Sequence, residues 1–362
     1  MRDTLIMTPG PTYVSENVRS AMAQPIINPD IDLQFYEIYK ETTTLLQQIM
    51  KTENDVLILD GEGILGLEAS CASLIEEGDR VLVLSNGIFG EGFGDFVKMY
   101  LGECVYYRSD DQLPFDTATL RQYLEKDSNF KMATLVHCET PSGLVNPINE
   151  LCPLLKEFGI LTVVDAVSSI GGISIETDEW QIDILLGGSQ KCLSAPPGLT
   201  FLSLSQDVKE AMAARNKPII GFYCNLTIWD NWYDKKWFPY TQPVSDIYAL
   251  RQAAFDLVND STVYIRHAQL AQKVRTELVN LGFELYPNDG FSNTVTAFTL
   301  PNHIDEKLFR QKLLDEYNVL IAGSLGAYEG KLLRIGHMGE NCHQAKVDDA
   351  LACIEKCFLS FS

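Results

Sequence analysis

Short apolar runs alternate with longer helical patterns from about residue 55 to residue 205. Most of these runs are apolar at successive positions, which is typical of strands that are buried on both faces. Strands of this kind, separated by helices, indicate a mostly parallel sheet covered by helices, and hence an α/β fold. The predicted strands span residues 55–59, 80–84, 104–107, 133–137, 161–165, 182–186 and 200–204.

The alternation stops near residue 205, and a segment rich in Trp, Tyr and Asn follows at 223–240. A long helical pattern then covers about 245–281. The remaining elements are predicted as strands at 293–300, 319–322 and 332–335 and helices at 305–317 and 342–359. A chain of 362 residues exceeds the usual size of one core, so two domains are expected. We predict an N-terminal arm (1–20), a large domain (21–250) and a smaller C-terminal α/β domain (251–362).

Composition and charge narrow the class of protein. The formal net charge of −21 argues against nucleic acid or an anionic membrane as the main partner, because both would be repelled. No window approaches 18 uninterrupted apolar residues, and the first residues do not resemble a secretory signal. Nine cysteines are scattered without a Cys-x-x-Cys pair. Reduced thiols in a cytoplasmic protein are therefore expected, with Cys192 as a packed thiol.

Polar and glycine-rich residues follow several of the predicted strands. In open parallel sheets, ligands bind beyond the carboxyl ends of the strands, so these residues are candidates for a site. Asp165 ends an apolar strand, where a half-buried carboxylate needs a cation or hydrogen-bond donors. Lys191 lies in a turn-rich stretch after the 182–186 strand. Each has a plainer alternative: Asp165 as a helix cap or turn residue, and Lys191 as a solvated loop cation.

Taken together, Asp165 and Lys191 suggest pyridoxal phosphate. This cofactor needs a lysine for a Schiff base and a carboxylate that keeps its pyridine nitrogen protonated, so that the ring withdraws electrons. Its phosphate needs amide donors, which the start of a helix provides. Residues 61–63, before a helix predicted at 65–75, are suited to the phosphate, and the ring of Phe89 is suited to stacking.

At these residues the chain resembles the class V, fold-type I pyridoxal-phosphate aminotransferases, and in particular the alanine–glyoxylate/serine–pyruvate group. The resemblance runs nearly end to end. The Ser-Gln-Lys of 189–191, followed by Ala-Pro-Pro-Gly at 195–198, is its most specific part. The other matching stretches are 8–11, 61–63, 67–69, 85–87, 164–169 and 333–336.

The resemblance implies a role for each matching residue. Lys191 would form the Schiff base, and Asp165 would pair with the pyridine nitrogen. The ring would lie between Phe89 and Val167, with the hydroxyl of Thr140 near the ring oxygen. Phosphate contacts are implied for Gln190, for backbone donors of Gly63 and Ile64, and for Thr241 of a neighbouring subunit. Arg334 would grip the substrate carboxylate, and the arm at 8–11, which includes Gly10, would pack over the substrate side.

Two departures from the family pattern affect the phosphate contacts. The chain has Glu62-Gly63-Ile64 where relatives commonly have Ser-Gly-His or Ser-Gly-Thr, and a carboxylate beside a phosphate is unfavourable unless it turns away. Phe238 replaces a tyrosine of some relatives, which removes one hydroxyl. The aromatic residues Trp229, Trp232, Tyr233 and Trp237 are expected to lie in an interface or in the core.

The resemblance implies an aminotransferase that moves an amino group from a small amino acid, alanine or serine-like, to glyoxylate or pyruvate. The alternatives are a lyase or desulfurase of the same fold, a user of ureidoglycine or 2-aminoethylphosphonate, and a binding protein that has lost catalysis. A homodimer with a shared site is expected. His137 and His337 have no second ligand at metal spacing, so we expect them to make local hydrogen bonds and we expect no metal site.

Overall fold

A computed structural model describes residues 4–361 of the chain. Within that range it contains fifteen strands, twelve α-helices and three short 3₁₀ turns. The strands are β1 (Leu5–Ile6), β2 (Asp55–Asp60), β3 (Arg80–Ser85), β4 (Glu103–Arg108), β5 (Met132–Val136), β6 (Cys138–Glu139), β7 (Leu144–Val145), β8 (Leu161–Asp165), β9 (Ile184–Gly188), β10 (Leu199–Leu204), β11 (Glu284–Leu285), β12 (Val295–Thr299), β13 (Val319–Leu320), β14 (Ala322–Gly323) and β15 (Leu333–Gly336).

Helices separate most strands of the larger sheet along the chain, as the alternating pattern predicts. They are α1 (Glu16–Met22), α2 (Leu33–Met50), α3 (Gly63–Leu74), α4 (Ile88–Met99), α5 (Thr117–Leu124), α6 (Ile148–Glu157), α7 (Gln206–Ala213), α8 (Trp232–Lys235), α9 (Val244–Val258), α10 (Val263–Asn280), α11 (Glu306–Tyr317) and α12 (Gln344–Leu359). The 3₁₀ turns are Leu226–Trp229, Gly326–Tyr328 and Gly339–Asn341.

The larger sheet has the strand order β2-β10-β9-β8-β5-β3-β4. Neighbouring strands from β9 through β8, β5 and β3 to β4 are parallel, whereas β10 is antiparallel to both β9 and β2. The sheet interior is almost completely buried, as the uniformly apolar runs predict. The prediction of an α/β fold with a mostly parallel sheet is therefore confirmed.

The long helix predicted at 245–281 is two helices, α9 and α10. The break coincides with Asp260, whose carboxylate accepts hydrogen bonds from the backbone N–H of Thr262 at 3.0 Å and from its hydroxyl at 2.7 Å. Arg266 donates to the same carboxylate at 2.6 Å. A short acidic side chain that bonds the backbone two residues on favours a turn over a continuous helix.

The C-terminal part builds a second, smaller sheet of order β11-β12-β15-β14, in which neighbouring strands are antiparallel. It has its own buried cluster, formed by residues from about 270 onward together with Met7. The beginning of the chain joins this part because β1 pairs with β13 in parallel. The arm (1–20) and the division near residue 250 stay predictions; residues 1–3 and 362 lie outside the described residues.

None of the helices between residues 4 and 361 is long and apolar enough to cross a membrane.

Candidate active site

The candidate site lies where β8 and β9 end. Asp165 is the last residue of β8 and stands opposite Leu186 of β9 in the strand register. The chain leaves β9 at Gly188 and reaches Lys191 in the turn that follows. Parallel pairing of the two strands therefore brings the predicted carboxylate and the predicted amine to the same edge of the sheet.

Asp165 is a buried acid with a perturbed pKa. Its side chain is 7% exposed, and its Oδ1 accepts a hydrogen bond from the backbone N–H of Val167 at 2.9 Å. Burial raises the pKa of Asp165 to about 6, the Val167 N–H and the charge of Lys191 oppose that rise, and Glu62 adds to it. The carboxylate thus makes the turn contact of the plainer interpretation and also faces a cation.

Lys191 is not a solvated loop cation. Its Nζ donates a hydrogen bond to the carbonyl oxygen of Pro9 at 2.6 Å. Burial lowers the pKa of Lys191, and so does the positive charge of Arg334, while Asp165 acts in the opposite direction. A lowered pKa increases the neutral fraction of the amine, which is the form that attacks a carbonyl carbon.

The N-terminal arm is held against the lysine turn. Thr12 donates from its N–H to the carbonyl oxygen of Gln190 at 3.0 Å and from its hydroxyl to that of Lys191 at 3.0 Å. Gly10 has a φ of +91°, and a Cβ at this position would lie 2.5 Å from Cδ of Lys191. Only glycine can adopt this backbone conformation and leave room for the lysine stem.

The start of α3 packs against the turn that follows Asp165. A Cβ on Gly63 would lie 2.8 Å from Cγ2 of Val167, which is 9% exposed. The helix therefore begins close to the Asp165 turn, with Gly63 and Ile64 as its first two residues. The side chain of Glu62, at the N-cap, makes no capping hydrogen bond and is exposed. The backbone amides, and not this carboxylate, give the helix start its affinity for anions.

Phe89 and Thr140 follow the carboxyl ends of β3 and β5. Phe89 is the second residue of α4 and is partly buried. The hydroxyl of the buried Thr140 is hydrogen-bonded to that of Ser168. This contact joins residues that are 28 positions apart in the chain, so the local sequence pattern could not predict it.

Glu139 is a residue of the site that sequence reasoning missed. Its side chain is fully buried, and it accepts hydrogen bonds from the backbone N–H groups of Phe89 and Gly90. An acid at the end of an apolar strand, directly before Thr140, was the available signal.

The proposed phosphate contacts are only partly brought together within one chain. The side chain of Gln190 is buried, and its Oε1 has no hydrogen-bond partner among residues 4–361. Thr241 is exposed, and its hydroxyl donates to Asp30 at 3.2 Å instead. Phe238 is buried 4.6 Å from the ring of Tyr36 in the aromatic core, as are Trp229 and Trp232, whereas Trp237 is half exposed.

Arg334 reaches the site from β15. Its Nε and Nη2 donate to the carbonyl oxygen of Gly323 at 2.8 and 2.6 Å, and its Nη1 lies 3.5 Å from the carbonyl oxygen of Thr140. Burial and the charge of Arg310 lower the pKa of Arg334 to about 10, so the guanidinium remains charged at neutral pH. A buried, oriented guanidinium is suited to binding a carboxylate.

The histidines and the cysteine beside the site have local contacts. Nδ1 of His137 lies 2.8 Å from the hydroxyl of Ser169, and Nε2 of His337 lies 2.8 Å from that of Thr296. Cys192 is buried, and burial raises the pKa of its thiol. Among residues 4–361 no group of three or more His, Cys, Asp or Glu side chains is arranged to hold a metal ion.

Comparison with known proteins identifies the family. Residues 27–347 match the family model described as Aminotransferase class-V. A pyridoxamine–pyruvate transaminase of Mesorhizobium japonicum is 33% identical over 340 residues, which cover 92% of this chain and 86% of the relative.

Solved structures extend the similarity to the whole fold. A ureidoglycine–glyoxylate aminotransferase from Bacillus subtilis superposes with a TM-score of 0.96 at 30% identity, covering 99% of this chain and 94% of that one. An alanine–glyoxylate aminotransferase from Nostoc sp. does so with a TM-score of 0.94 at 28% identity, covering 99% and 96%. The chain therefore belongs to the class-V aminotransferases and is a pyridoxal-phosphate-dependent transaminase of fold type I.

Proposed function

We propose that this enzyme transfers an amino group from a small amino acid, alanine or serine-like, to glyoxylate or pyruvate. One observation carries the proposal: Lys191, whose Nζ is hydrogen-bonded to the carbonyl oxygen of Pro9 at 2.6 Å, lies at the edge of the sheet where the buried Asp165 ends β8. The names of the three relatives described above support glyoxylate or pyruvate as the acceptor, because each name contains one of these two acids. Ureidoglycine or pyridoxamine as the amino donor remains an alternative from the same names.

The residues around Lys191 fit pyridoxal phosphate. Asp165 is a buried carboxylate suited to a cationic ring nitrogen, and the start of α3 offers backbone N–H groups to a phosphate. The amide oxygen of Gln190 has no partner among residues 4–361, which indicates that a further hydrogen-bond donor belongs in this place. When bound, the cofactor supplies a reactive carbonyl and an electron-withdrawing ring.

Lys191 would hold the cofactor covalently and then move a proton. Its lowered pKa favours the neutral amine, which is the form that makes a Schiff base. The same amine would serve as the general base that removes the proton from the substrate Cα. The carbonyl oxygen of Pro9 orients this amine through the 2.6 Å hydrogen bond.

Asp165 would act on the cofactor ring, and Arg334 would act on the substrate carboxylate. The negative charge of Asp165 would favour a protonated ring nitrogen, and the bound cofactor would then stabilise negative charge on the substrate Cα. Arg334 would bind the substrate carboxylate and so orient the Cα–H bond. Arg310 is nearby, but its charge is compensated by Glu306 at 2.6 Å. With one uncompensated arginine at the site, monocarboxylates are favoured over 2-oxoglutarate.

We also propose that the enzyme is a cytoplasmic homodimer in which Thr241 of one subunit contributes a phosphate contact to the other. Two segments with exposed apolar side chains, 26–33 and 220–237, support pairing, and Asp30 of the first accepts a hydrogen bond from Thr241, which follows the second. Exposed apolar side chains favour contact with a second copy of the chain, and two-fold pairing is the commonest arrangement. The exposed side chains are Ile26, Ile31, Leu33, Ile220, Phe222 and Trp237.

A panel of donors and acceptors tests the proposed reaction. Alanine, serine, ureidoglycine and pyridoxamine would each be combined with glyoxylate, pyruvate and 2-oxoglutarate, and products would be followed by mass spectrometry. We expect kcat/KM for glyoxylate or pyruvate to exceed that for 2-oxoglutarate by about tenfold or more, which corresponds to about 1.4 kcal/mol. The Lys191→Ala variant provides the background rate.

The outcomes separate the alternatives. A preference for 2-oxoglutarate would contradict the assignment of Arg334 as the one uncompensated arginine of the site. Release of sulfide from cysteine without transamination would instead favour the lyase or desulfurase, and no turnover with any pair would favour a binding protein.

A further inference from the structure

The first turn of α4 is capped by a side chain from a distant part of the chain. The carboxylate of Glu139 accepts from the N–H of Gly90 at 2.6 Å with Oε1 and from that of Phe89 at 3.1 Å with Oε2. Glu139 is fully buried, and the N-cap residue itself is Gly87, which has no side chain. A carboxylate that accepts two helix-start amides stabilises the helix terminus and fixes its direction.

Two glycines make room for this carboxylate. A Cβ on Gly87 would lie 2.4 Å from Cδ of Glu139, which is closer than real contacts allow. A Cβ on Gly90 would lie 3.2 Å from Oε1 and 2.9 Å from the carbonyl oxygen of Leu84. The start of α4 is therefore shaped around the side chain of Glu139 and cannot accommodate a Cβ at Gly87 without displacing it.

Glu139 also holds the turn that carries Thr140. Its carbonyl oxygen accepts from the N–H of Ser142 at 3.2 Å and from that of Gly143 at 2.8 Å. The adjacent Thr140 contacts Arg334 through its carbonyl oxygen and Ser168 through its hydroxyl. One residue thus connects the backbone at Phe89 with the backbone at Thr140.

The surroundings of Glu139 disfavour the charged form of its carboxyl group. Burial raises its pKa to about 7, the two amides of Gly90 and Phe89 lower it, and the negative charge of Asp165 raises it. A simpler cap would use an exposed Ser, Thr or Asp at the N-cap, as Asp305 does for α11. A buried acid near a second acid is costly for the fold, which points to a role beyond capping.

We propose that Glu139 is a positioning residue for the aminotransferase site: it fixes the Phe89 ring and the Thr140 hydroxyl relative to each other. The inference rests on the proposed roles of Phe89 and Thr140 toward the cofactor. Glu139 acts through these two residues.

The Glu139→Gln variant tests this role. The amide keeps the shape but can accept only through its oxygen, so one of the two helix-start N–H groups loses its acceptor. We expect faster hydrogen exchange at the amides of Phe89 and Gly90, a weaker visible circular dichroism band of the bound cofactor, and a kcat lower by about 10- to 100-fold. KM for the 2-oxo acid should change little, because Arg334 is untouched.

Two further variants make the test specific. Gly87→Ala should also weaken the dichroism band, because the added Cβ displaces the carboxylate of Glu139. This variant provides the test if Glu139→Gln does not fold. Glu150→Gln, at an exposed acid in the first turn of α6, is the matched control and should leave all three measurements unchanged.

The measurements also distinguish the two levels of inference. Unchanged dichroism and kcat in a folded Glu139→Gln protein, or unchanged amide exchange, would overturn the positioning role. A wild-type protein without a cofactor band or transamination would instead count against the proposed function, since amide exchange still reports on the Glu139 contact.

Discussion

Backbone carbonyl oxygens orient both cationic side chains of the site. Gly323 accepts from Nε and Nη2 of Arg334, and Pro9 accepts from Nζ of Lys191. Two donors on one acceptor fix the plane of the guanidinium, so the Nη1 side faces Thr140. A lysine at this position would have one nitrogen for both the carbonyl oxygen and the substrate carboxylate.

We predict that Arg334→Lys lowers kcat/KM for glyoxylate and pyruvate by about 1.5–3 kcal/mol, the range for a hydrogen bond to a charged group. Steady-state kinetics with both acids would measure the loss. Arg310→Lys is the matched control, because Arg310 is paired with Glu306, and it should retain nearly all activity. A folded Arg334→Lys enzyme that is unimpaired with every 2-oxo acid would contradict the role in carboxylate binding.

At the scale of the elements, a buried acid ties together the ends of β8 and β9 that lie away from the site. Asp183 is 1% exposed, and it accepts from the N–H of Thr162 at 2.9 Å, the hydroxyl of Ser205 at 2.9 Å and the ammonium of Lys156 at 2.6 Å. Because Thr162 belongs to β8 and Asp183 immediately precedes β9, these bonds fix the relative position of the two strands.

We expect Asp183→Ala to lower the free energy of unfolding by about 3–5 kcal/mol, because its removal leaves buried donors without an acceptor and leaves Lys156 with only the exposed Asp207 as a partner. Asp207→Ala is the control: this acid binds the same lysine at 2.7 Å, but its side chain is 56% exposed. Its loss should cost about 0–1 kcal/mol. Urea denaturation of both variants would measure the difference, and equally small effects would refute the role given to Asp183.

The elements themselves were largely predictable from local pattern, and their pairing was not. Helix α11 begins after Asp305 as predicted, since Asp305 accepts from the N–H of Leu308 at 2.9 Å. The antiparallel direction of β10 could not be predicted from the sequence, because a strand that is apolar on both faces has the same pattern in either direction. The 319–322 strand is divided between two sheets, with β13 pairing with β1 and β14 with β15.

At the scale of the whole molecule, the N-terminal arm connects the two parts of the chain. Leu5 and Ile6 pair with β13 of the C-terminal part, and Thr12 bonds to the Lys191 turn. Sequence reasoning located Lys191, Asp165 and Arg334 because strand ends and a family motif mark them. It could not supply contacts between residues far apart in the chain, such as Pro9 with Lys191, 182 positions apart, or Glu139 with Phe89.

The central claim, that Lys191 carries the cofactor, is tested most directly by chemical trapping. The protein would be loaded with pyridoxal phosphate and reduced with sodium borohydride, which makes the bond between cofactor and amine permanent. Digestion and mass spectrometry then locate the modified lysine. We predict the label on Lys191 alone, and its disappearance in Lys191→Ala. A label on another lysine, such as the partly exposed Lys209, with Lys191 unmodified, would contradict the account.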